Sequence, residues 1–318
     1  MDQIDKKILC ELDLNCRTPV TKIAKKLRIN RNVADYRIKN LQNEGIISNY
    51  ITAINLGKLG YKTYKIYFKI RREPNLEKEF ISYLKEAKEI IQLVKTEGSA
   101  DYSISIATKN ILELDKFLMY VKSNFRNLIK DYFVSIVVYS RIFKLDKLLL
   151  DNKQNVLKSY KYSGDGQEIP LDDIDIKILK SISQNANISI VDVANKTKLS
   201  LDIVKYRLKK LESELITNYR IIPDLNKLGY FHYAIMLQIK QAKEADENKL
   251  VSWCSLNKKV LYCTKRIGYF DFIINVAIKD INDLNNFLSE LKLEFDYIID
   301  SYDTMLYSQI LKLNYIPF

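Results

Sequence analysis

The stretch "NRNVADYRIKNLQNEGIISNYITAIN", Asn30 to Asn55, has a near copy later in the chain, "SLDIVKYRLKKLESELITNYRIIPD", Ser200 to Asp224. Each copy begins with a helix-capping residue and continues with helical apolar spacing, and each ends in a β-rich segment. The pattern Tyr-Arg-x-Lys-x-Leu stands at the same place in both. A repeat decides the fold, because a chain built from two copies of one unit folds as a doubled structure.

The repeat extends over nearly the whole chain of 318 residues. Most matches lie 170 positions apart, and the spacing drops to 169 after one residue is lost near Leu215. The matched segments include Ile4–Leu9 with Ile174–Leu179, Lys58–Tyr61 with Lys227–Tyr230, and Tyr139–Leu145 with Tyr307–Leu313. We therefore expect a doubled two-domain protein.

The first fifty residues predict three helices and a wing. Asp2 and Asp5 form a capping-box pattern, Thr18 is expected to cap a second helix with Pro19 in its first turn, and Asn30 caps a third. The "IISNYITAI" segment alternates as a short hairpin does. This order is typical of a winged helix-turn-helix. The expected inward face of the third helix comprises Val33, Tyr36 or the stem of Arg37, Ile38 and Leu41.

The remainder of each half changes to the order β-α-β-β-α-β, which is the ferredoxin-like order. The predicted fold class is α+β, with two winged helix-turn-helix domains alternating with two ferredoxin-like βαββαβ domains. The expected ranges are a helix-turn-helix domain at 1–55, a ferredoxin-like domain at 60–150, a polar linker at 151–170, a second helix-turn-helix domain at 171–224 and a second ferredoxin-like domain at 229–318.

Composition narrows the class of protein. Hydrophobic residues make up 47% and charged residues 28%, which is a globular profile. Four cysteines without a CxxC pair and a single histidine, His232, predict neither a metal site nor a cofactor. No apolar run approaches the roughly 18 residues of a membrane span, so we expect a cytoplasmic protein. The net charge of +12 suits an anionic partner.

These motifs together resemble the Lrp/AsnC family of prokaryotic transcription regulators. The resemblance rests on Ile4–Leu9, Ile23-Ala24, the helix after Asn30, Glu44–Ile47 and Gly60, and the second half repeats it less cleanly. It implies a sequence-selective binder of double-stranded DNA whose ferredoxin-like (RAM) domains pair and often sense an amino acid. Family members usually carry one unit per chain. This chain would therefore be its own dimer.

The third helix of the first copy should enter the major groove with its first turns against the base edges. Arg can bind guanine, Asn adenine, and Asp the cytosine amino group, whereas residues farther along suit phosphates or internal bracing. The candidate DNA-binding residues of the first copy are Arg31, Asn32, Asp35, Arg37 and Lys39 on this helix, and Lys22, Lys25, Lys26 and Arg28 on and after the preceding one.

The second copy differs where it would read DNA. Leu201, Asp202 and Lys205 replace Arg31, Asn32 and Asp35. Residues 1–60 hold 11 basic and 6 acidic residues, a net charge of +5, whereas residues 171–230 hold 10 and 8, a net charge of +2. We expect unequal readers and an asymmetric operator. The candidate DNA-binding residues of the second copy are Lys205, Arg207 and Lys209.

Two turns of the ferredoxin-like domains are candidate effector sites. Gly98-x-x-Asp101 and Gly268-x-x-Asp271 each join two strands and resemble the family's Gly-x-x-Asp element. Glycine would let a ligand approach the backbone, and the carboxylate would hold an ammonium group. Alternatively, each is a turn in which the aspartate bonds its own backbone.

Two other classes of function stay open. Haem-precursor decarboxylases, such as siroheme decarboxylases, resemble this family and occur as fused pairs, but they would need cationic and histidine side chains around a tetrapyrrole. Because no catalytic pair or phosphate loop is visible, we expect no enzyme and no catalytic residues. The other alternative is an interaction module that heterodimerises through its ferredoxin-like sheets. The sequence leaves open whether the chain also forms a homodimer.

Overall fold

A computed structural model of the protein describes residues 1–150, 160–163, 167–183, 185–240 and 242–318. The helices are α1 (Gln3–Leu14), α2 (Val20–Leu27), α3 (Arg31–Asn43), α4 (Pro74–Glu86), α5 (Ile111–Asn124), α6 (Asp146–Leu150), α7 (Asp173–Ser183), α8 (Ile190–Thr197), α9 (Leu201–Glu214), α10 (Glu244–Leu256) and α11 (Ile281–Phe295). The strands are β1 (Ile47–Ile54), β2 (Lys62–Ile70), β3 (Ile90–Gly98), β4 (Tyr102–Thr108), β5 (Ile129–Ile142), β6 (Tyr160–Ser163), β7 (Ile216–Pro223), β8 (Phe231–Ile239), β9 (Val260–Gly268), β10 (Phe272–Ile278) and β11 (Ile299–Leu313).

These elements form an α+β protein made of two compact units, each of which draws on both copies of the repeat. The first unit holds both helix-turn-helix domains and comprises Met1–Asn55, residues 143–150 and Ile169–Tyr230. The second unit holds both ferredoxin-like domains and comprises Leu56–Ile142, residues 160–163 and 167–168, and Phe231–Phe318. Of the predicted linker, residues 151–159 and 164–166 lie outside the described residues.

The helix caps follow the predicted chemistry at two of three positions. The Asp2 carboxylate accepts hydrogen bonds from the Ile4 and Asp5 amides, and the Asp5 side chain bonds the Asp2 amide in return, so the capping box is confirmed. Asn30 caps α3 through the amide of Asn32. The N-cap of α2 is Pro19, so the expectation that Thr18 fills this place is wrong.

The buried face of α3 differs from the predicted one. Ala34, Ile38 and Leu41 are buried, as the spacing of i, i+4 and i+7 requires for one helix face. Val33, which was expected inside, is 42% exposed, and Tyr36, which was expected inside as an alternative to the stem of Arg37, is 65% exposed. The small Ala34 side chain gave a weaker hydrophobic signal than its neighbours, although it occupies the core position.

The segment expected to form a hairpin is one continuous strand. β1 pairs antiparallel with β7, its counterpart in the second copy, with Tyr50 opposite Ile221 and Thr52 opposite Tyr219. The prediction of a hairpin within "IISNYITAI" is therefore wrong, because the segment lacks the Asn-Gly or Asp-Gly turn that a tight hairpin needs. The two helix-turn-helix domains share this two-stranded sheet.

The second unit contains an antiparallel ring of eight strands. In each ferredoxin-like domain the fourth strand pairs with the first, which places the order β5-β2-β4-β3 beside β11-β8-β10-β9. β3 then pairs with β11, and β9 pairs with β5, so the two domains close on one another. The short strand β6 adds to β5. Every strand of the ring has a neighbour on both sides, which leaves no unpaired edge within it.

The strands of the ring have two differently packed faces. On β2, the outward side chains Tyr64, Ile66 and Phe68 belong to a core that also includes Phe80 of α4 and Phe117 of α5. Side chains of both copies meet on the inward face, where a second core comprises Tyr67, Val94, Ala100, Ala234, Met236, Phe270, Ile273, Met305 and Tyr307. The ring therefore encloses a shared interior, as in a small β-barrel.

Within the described ranges, no helix is both long and apolar enough to cross a membrane.

Candidate nucleic-acid interface

The turn between the second and third helices has the same backbone in both copies. Arg28, the C-cap of α2, has φ of 56°, and Lys198, the C-cap of α8, has φ of 57°. Asn30 and Ser200 then cap α3 and α9 through their side-chain oxygens. A left-handed residue followed by an N-cap gives the tight connection of a helix-turn-helix. In both copies the N-terminal end of the third helix is therefore exposed on the surface of the domain.

The first turn of α3 has the side chains that direct readout uses. Arg31 and Asn32 are exposed at its N-terminal end. Val33 and Tyr36 are exposed beside them, whereas the sequence pattern placed Val33 in the core and offered Tyr36 as an alternative to the Arg37 stem. Exposed apolar side chains on a reading helix are suited to the thymine methyl group. Placing Ala34 in the core with Ile38 and Leu41 would have predicted that Val33 and Tyr36 are exposed.

The remaining candidates on α3 already have partners. Lys39 pairs with Asp35 at 2.8 Å across one helical turn, and both side chains stay largely exposed. Arg37 Nη1 bonds the carboxylates of Asp2 and Asp5, each at 2.7 Å. The pKa of Asp2 is lowered, first by the hydrogen bond from the Asp5 amide and then by Arg37. This geometry favours the bracing role for Arg37, which ties α3 to the start of α1.

The same brace stands in the second copy. Arg207 Nη1 lies 2.7 Å from Asp172 and 3.4 Å from Asp175. Because Arg207 meets the capping residues of α7 as Arg37 meets those of α1, the bracing is a property of the unit. Direct contact of either arginine with DNA stays a prediction.

The basic residues around α2 form one exposed group. Lys22, Lys25 and Arg28 are exposed, and Lys26 is exposed but paired with Glu11 at 2.5 Å. Cations at this place beside a reading helix suit phosphate contacts. At the matching positions of the second copy stand Asp192, Asn195, Lys196 and Lys198. The second copy therefore carries less positive charge at these positions.

The reading surface of α9 is more apolar than that of α3. Leu201, Ile203 and Tyr206 are 37%, 42% and 71% exposed. Asp202 is almost fully exposed, and the Lys205 ammonium lies 4.0 Å from it. Lys209 is exposed farther along. An exposed carboxylate near the helix start opposes phosphate binding, while the apolar side chains suit thymine methyl groups.

Contacts between copies fix the two readers within the first unit. Asp13, at the end of α1, is 2% exposed and accepts hydrogen bonds from Arg220 of β7 at 2.9 and 2.6 Å, and from the Leu145 amide at 3.0 Å. Arg17 Nη1 donates to the Ala186 carbonyl at 2.7 Å. Together with the β1–β7 pairing, these bonds make the two helix-turn-helix domains one folded body.

The candidate effector turns have structural partners. Asp101 accepts hydrogen bonds from the Ile70 amide at 2.8 Å and from Lys69 at 2.9 Å, and Asp271 accepts one from the Ile239 amide at 2.8 Å. Each aspartate thus terminates the first strand of its own domain. An effector role for these turns stays a prediction, and the hydrogen bonds favour the structural alternative.

The two glycines of these turns lie where neighbouring backbone comes close. Gly98 has φ of +118° and Gly268 has φ of +138°, which favours glycine. A Cβ on Gly98 would lie 3.0 Å from the Thr304 carbonyl oxygen, and one on Gly268 would lie 2.9 Å from the Val134 carbonyl oxygen. Both glycines therefore permit the strand pairings that close the ring.

No metal-binding cluster of His, Cys, Asp and Glu occurs in the part of the chain that the structure describes. Cys10, Cys16, Cys254 and Cys263 are buried as free thiols. Burial raises the pKa of Cys16 to about 12 and raises that of Cys10 further, so neither is a reactive thiolate.

Comparison with known proteins agrees with this geometry. A family described as winged helix-turn-helix DNA-binding matches residues 1–48 and again residues 171–214. The HTH-type transcriptional regulator PH0061 of Pyrococcus horikoshii is 35% identical over 124 residues, which are 38% of this chain and 81% of the relative. The regulator Ptr1 of Methanocaldococcus jannaschii is 34% identical over 118 residues, which are 37% of this chain and 79% of the relative.

The chain belongs to the Lrp/AsnC family of transcription regulators. It carries the family's unit twice, and its helix-turn-helix domains are of the DNA-binding type.

Solved structures of one protein match the doubled arrangement over nearly its whole length. The siroheme decarboxylase NirDL has a TM-score of 0.65 with this chain at 16% identity, over 99% of this chain and 94% of that one. Because the identity is this low, the structural match shows a shared fold alone. It says nothing of a shared activity.

Proposed function

We propose that this Lrp/AsnC chain is a sequence-specific transcription regulator in which one polypeptide does the work of a dimer. The observation that carries the proposal is the pairing of β1 with β7, which joins two helix-turn-helix domains into one unit. Dimeric DNA-binding proteins hold two reading helices at a fixed spacing, and here one chain supplies both.

The two readers differ in charge and in the bases that they suit. Arg31 and Asn32 fit guanine and adenine, respectively, whereas Leu201 and Ile203 fit thymine methyl groups. The four cations around α2 give the first reader the stronger attraction for phosphates. We infer an operator with two unlike half-sites, of which the first reader's half-site contributes more to the affinity.

The ring of eight strands supports the single-chain proposal. Among the described residues, every strand of the ring has both neighbours, so the eight ring strands offer no unpaired edge to a second protein. This arrangement weighs against the alternative that the chain heterodimerises through these sheets. Modulation by an amino acid remains part of the proposal on family grounds, and the Gly98 and Gly268 turns remain candidate effector sites although their hydrogen bonds favour a structural role.

The test is selection of binding sites from a pool of random duplexes with the full chain, followed by fluorescence anisotropy over a salt series. We expect an enriched sequence that binds at physiological salt at least about a thousandfold more tightly than its scrambled control. Equal binding of both duplexes that disappears with salt would contradict the proposal, because the +12 charge would then account for the binding.

The same preparation tests the decarboxylase alternative. A visible absorption band from a bound porphyrin, together with equal binding of the two duplexes, would favour an enzyme related in activity to NirDL. A colourless protein with a clear sequence preference would favour the regulator.

A further inference from the structure

The interior of the eight-stranded ring holds two buried cations. Lys65 of β2 is 2% exposed and Arg266 of β9 is 5% exposed. Both lie on the face of their strand that turns away from the helices, which is also the face of the shared core with Tyr67 and Tyr307. Lysine and arginine are almost never fully buried unless they are paired.

Neither cation has an anionic partner among the described residues. Lys65 Nζ donates to Gln92 Oε1 at 2.8 Å and to Ser105 Oγ at 3.2 Å, which are neutral acceptors. Arg266 Nη1 donates to the Tyr67 hydroxyl at 2.7 Å and to Ser135 Oγ at 3.4 Å. The guanidinium keeps its charge at every physiological pH, so its positive charge stays uncompensated in the folded protein.

Unused hydrogen-bond donors point to the same place. Arg266 Nε is buried and makes no hydrogen bond, and the same holds for Nδ2 of Asn275, which is fully buried on β10. The Asn275 oxygen lies 3.0 Å from His232 Nε2. Buried donors without acceptors are rare in native proteins and call for an explanation, of which an unseen ligand is one.

The two cations are not inherited from the repeat. The counterpart of Lys65 in the second copy is Ala234, and the counterpart of Arg266 in the first copy is Thr96. Each copy has therefore acquired one cation of its own, and ring closure brings the two into one interior. Burial lowers the pKa of Lys65 well below its usual value, and the nearby Arg266 lowers it further, so the charges act on one another.

We propose that the interior of this ring is a binding site for a small carboxylate with an apolar body, held by Arg266 and Lys65. A carboxylate is planar and can take the unused Nε–H of Arg266 together with a terminal N–H in a bidentate pair. The apolar body suits the surrounding aromatic, Ile and Met side chains, among them Phe133, Ile273 and Met305. This site is separate from the Gly98 and Gly268 turns and does not depend on the DNA-binding proposal.

The test measures anion binding by the full chain at constant ionic strength. Thermal unfolding and isothermal titration calorimetry would be run with butyrate, with inorganic phosphate and with chloride as separate probes. We expect butyrate to raise the unfolding midpoint more than phosphate or chloride does, because only ligands that bind the folded state stabilise it. Equal effects of all three would mean general ionic screening and would overturn the proposal.

Matched variants locate the site. Arg266→Gln and Lys65→Gln should each weaken butyrate binding about tenfold to hundredfold. Lys130→Gln removes one exposed charge from β5 and should bind butyrate as the unchanged protein does. Without butyrate, Arg266→Gln should unfold at a higher temperature than the unchanged protein, because it no longer buries an uncompensated charge. Undiminished butyrate binding in both interior variants would overturn the proposal. If one interior variant does not fold, the other still provides the test.

Discussion

Removal of the Asp13 carboxylate should unfold the first unit selectively. Asp13 is 2% exposed and accepts two hydrogen bonds from Arg220 and one from the Leu145 amide, so Asp13→Ala removes a buried carboxylate that pairs with the part-buried Arg220 guanidinium. Breaking a buried ion pair from one side costs about 3–5 kcal/mol. For a unit of this size, we expect the midpoint of thermal unfolding to fall by about 10 °C or more.

Differential scanning calorimetry of the full chain would measure the effect, with DNA binding by anisotropy as a second readout. Glu294→Ala is the matched control, because it breaks an exposed ion pair with Lys249 in the second unit and should leave the midpoints nearly unchanged. Replacing both partners, as in Asp13→Leu with Arg220→Met, should restore most of the loss. A fall of less than about 1 kcal/mol for Asp13→Ala would refute the view that this pair holds the two readers together.

Three further results are expected. Lys22→Ala with Lys25→Ala should flatten the log–log salt dependence of DNA affinity by up to about 1.8, and Lys196→Ala by less than about 0.9; a larger change for Lys196→Ala would contradict the unequal readers. Gly98→Ala should lower the free energy of unfolding, measured in denaturant, by roughly 1–3 kcal/mol, because the new Cβ would lie 3.0 Å from a carbonyl oxygen. Gly229 has φ of +81° and would have no atom within 4 Å of its Cβ, so Gly229→Ala should be less destabilising. Equal destabilisation by the two variants would refute the steric argument. Burial lowers the pKa of His232 from 6.5 to about 4, so the unfolded chain is protonated first as the pH falls. The free energy of unfolding should therefore fall by at most about 3 kcal/mol between pH 6.5 and pH 4. The stability of His232→Asn should lack this pH dependence, and identical stability-versus-pH curves for the two proteins would contradict the prediction.

The local features of the fold could be predicted because they depend on near neighbours in the sequence. The Asp2 capping box joins residues three apart, and the Asn30 cap joins residues two apart. The duplication was visible for a different reason, since each copy serves as the other's reference. The order of helices and strands follows from these signals.

The pairings between copies could not be predicted, because a strand's pattern gives its faces and not its partner. β1 was expected to fold back on itself, and it pairs with β7 instead. The alternation of β2 predicts one buried and one solvated face, as in an open antiparallel sheet. Ring closure buries both faces, so the sequence pattern does not indicate that Lys65 and Arg266 are buried.

For the candidate site, the exposure of the residues at the start of α3 could be predicted better than the contacts made by the others. Arg31 and Asn32 are exposed at the start of the reading helix, as the cap at Asn30 implies. Arg37 bonds Asp2 and Asp5, more than thirty residues away, which no local pattern shows. The core face of α3 contains Ala34 and not its neighbour Val33. Val33 is therefore exposed and is a candidate for base contact, although its sequence position suggested the core.

The central claim is that one chain carries two unequal readers, and hydroxyl-radical footprinting on the selected duplex tests it most directly. The unchanged protein should protect two adjacent half-sites unequally with one chain bound per duplex. Arg31→Ala should weaken binding about tenfold or more and abolish protection of the more strongly protected half-site. Lys205→Ala should reduce protection of the other half-site only. A two-fold symmetric footprint, with equal losses of affinity from Arg31→Ala and Lys205→Ala, would contradict the account.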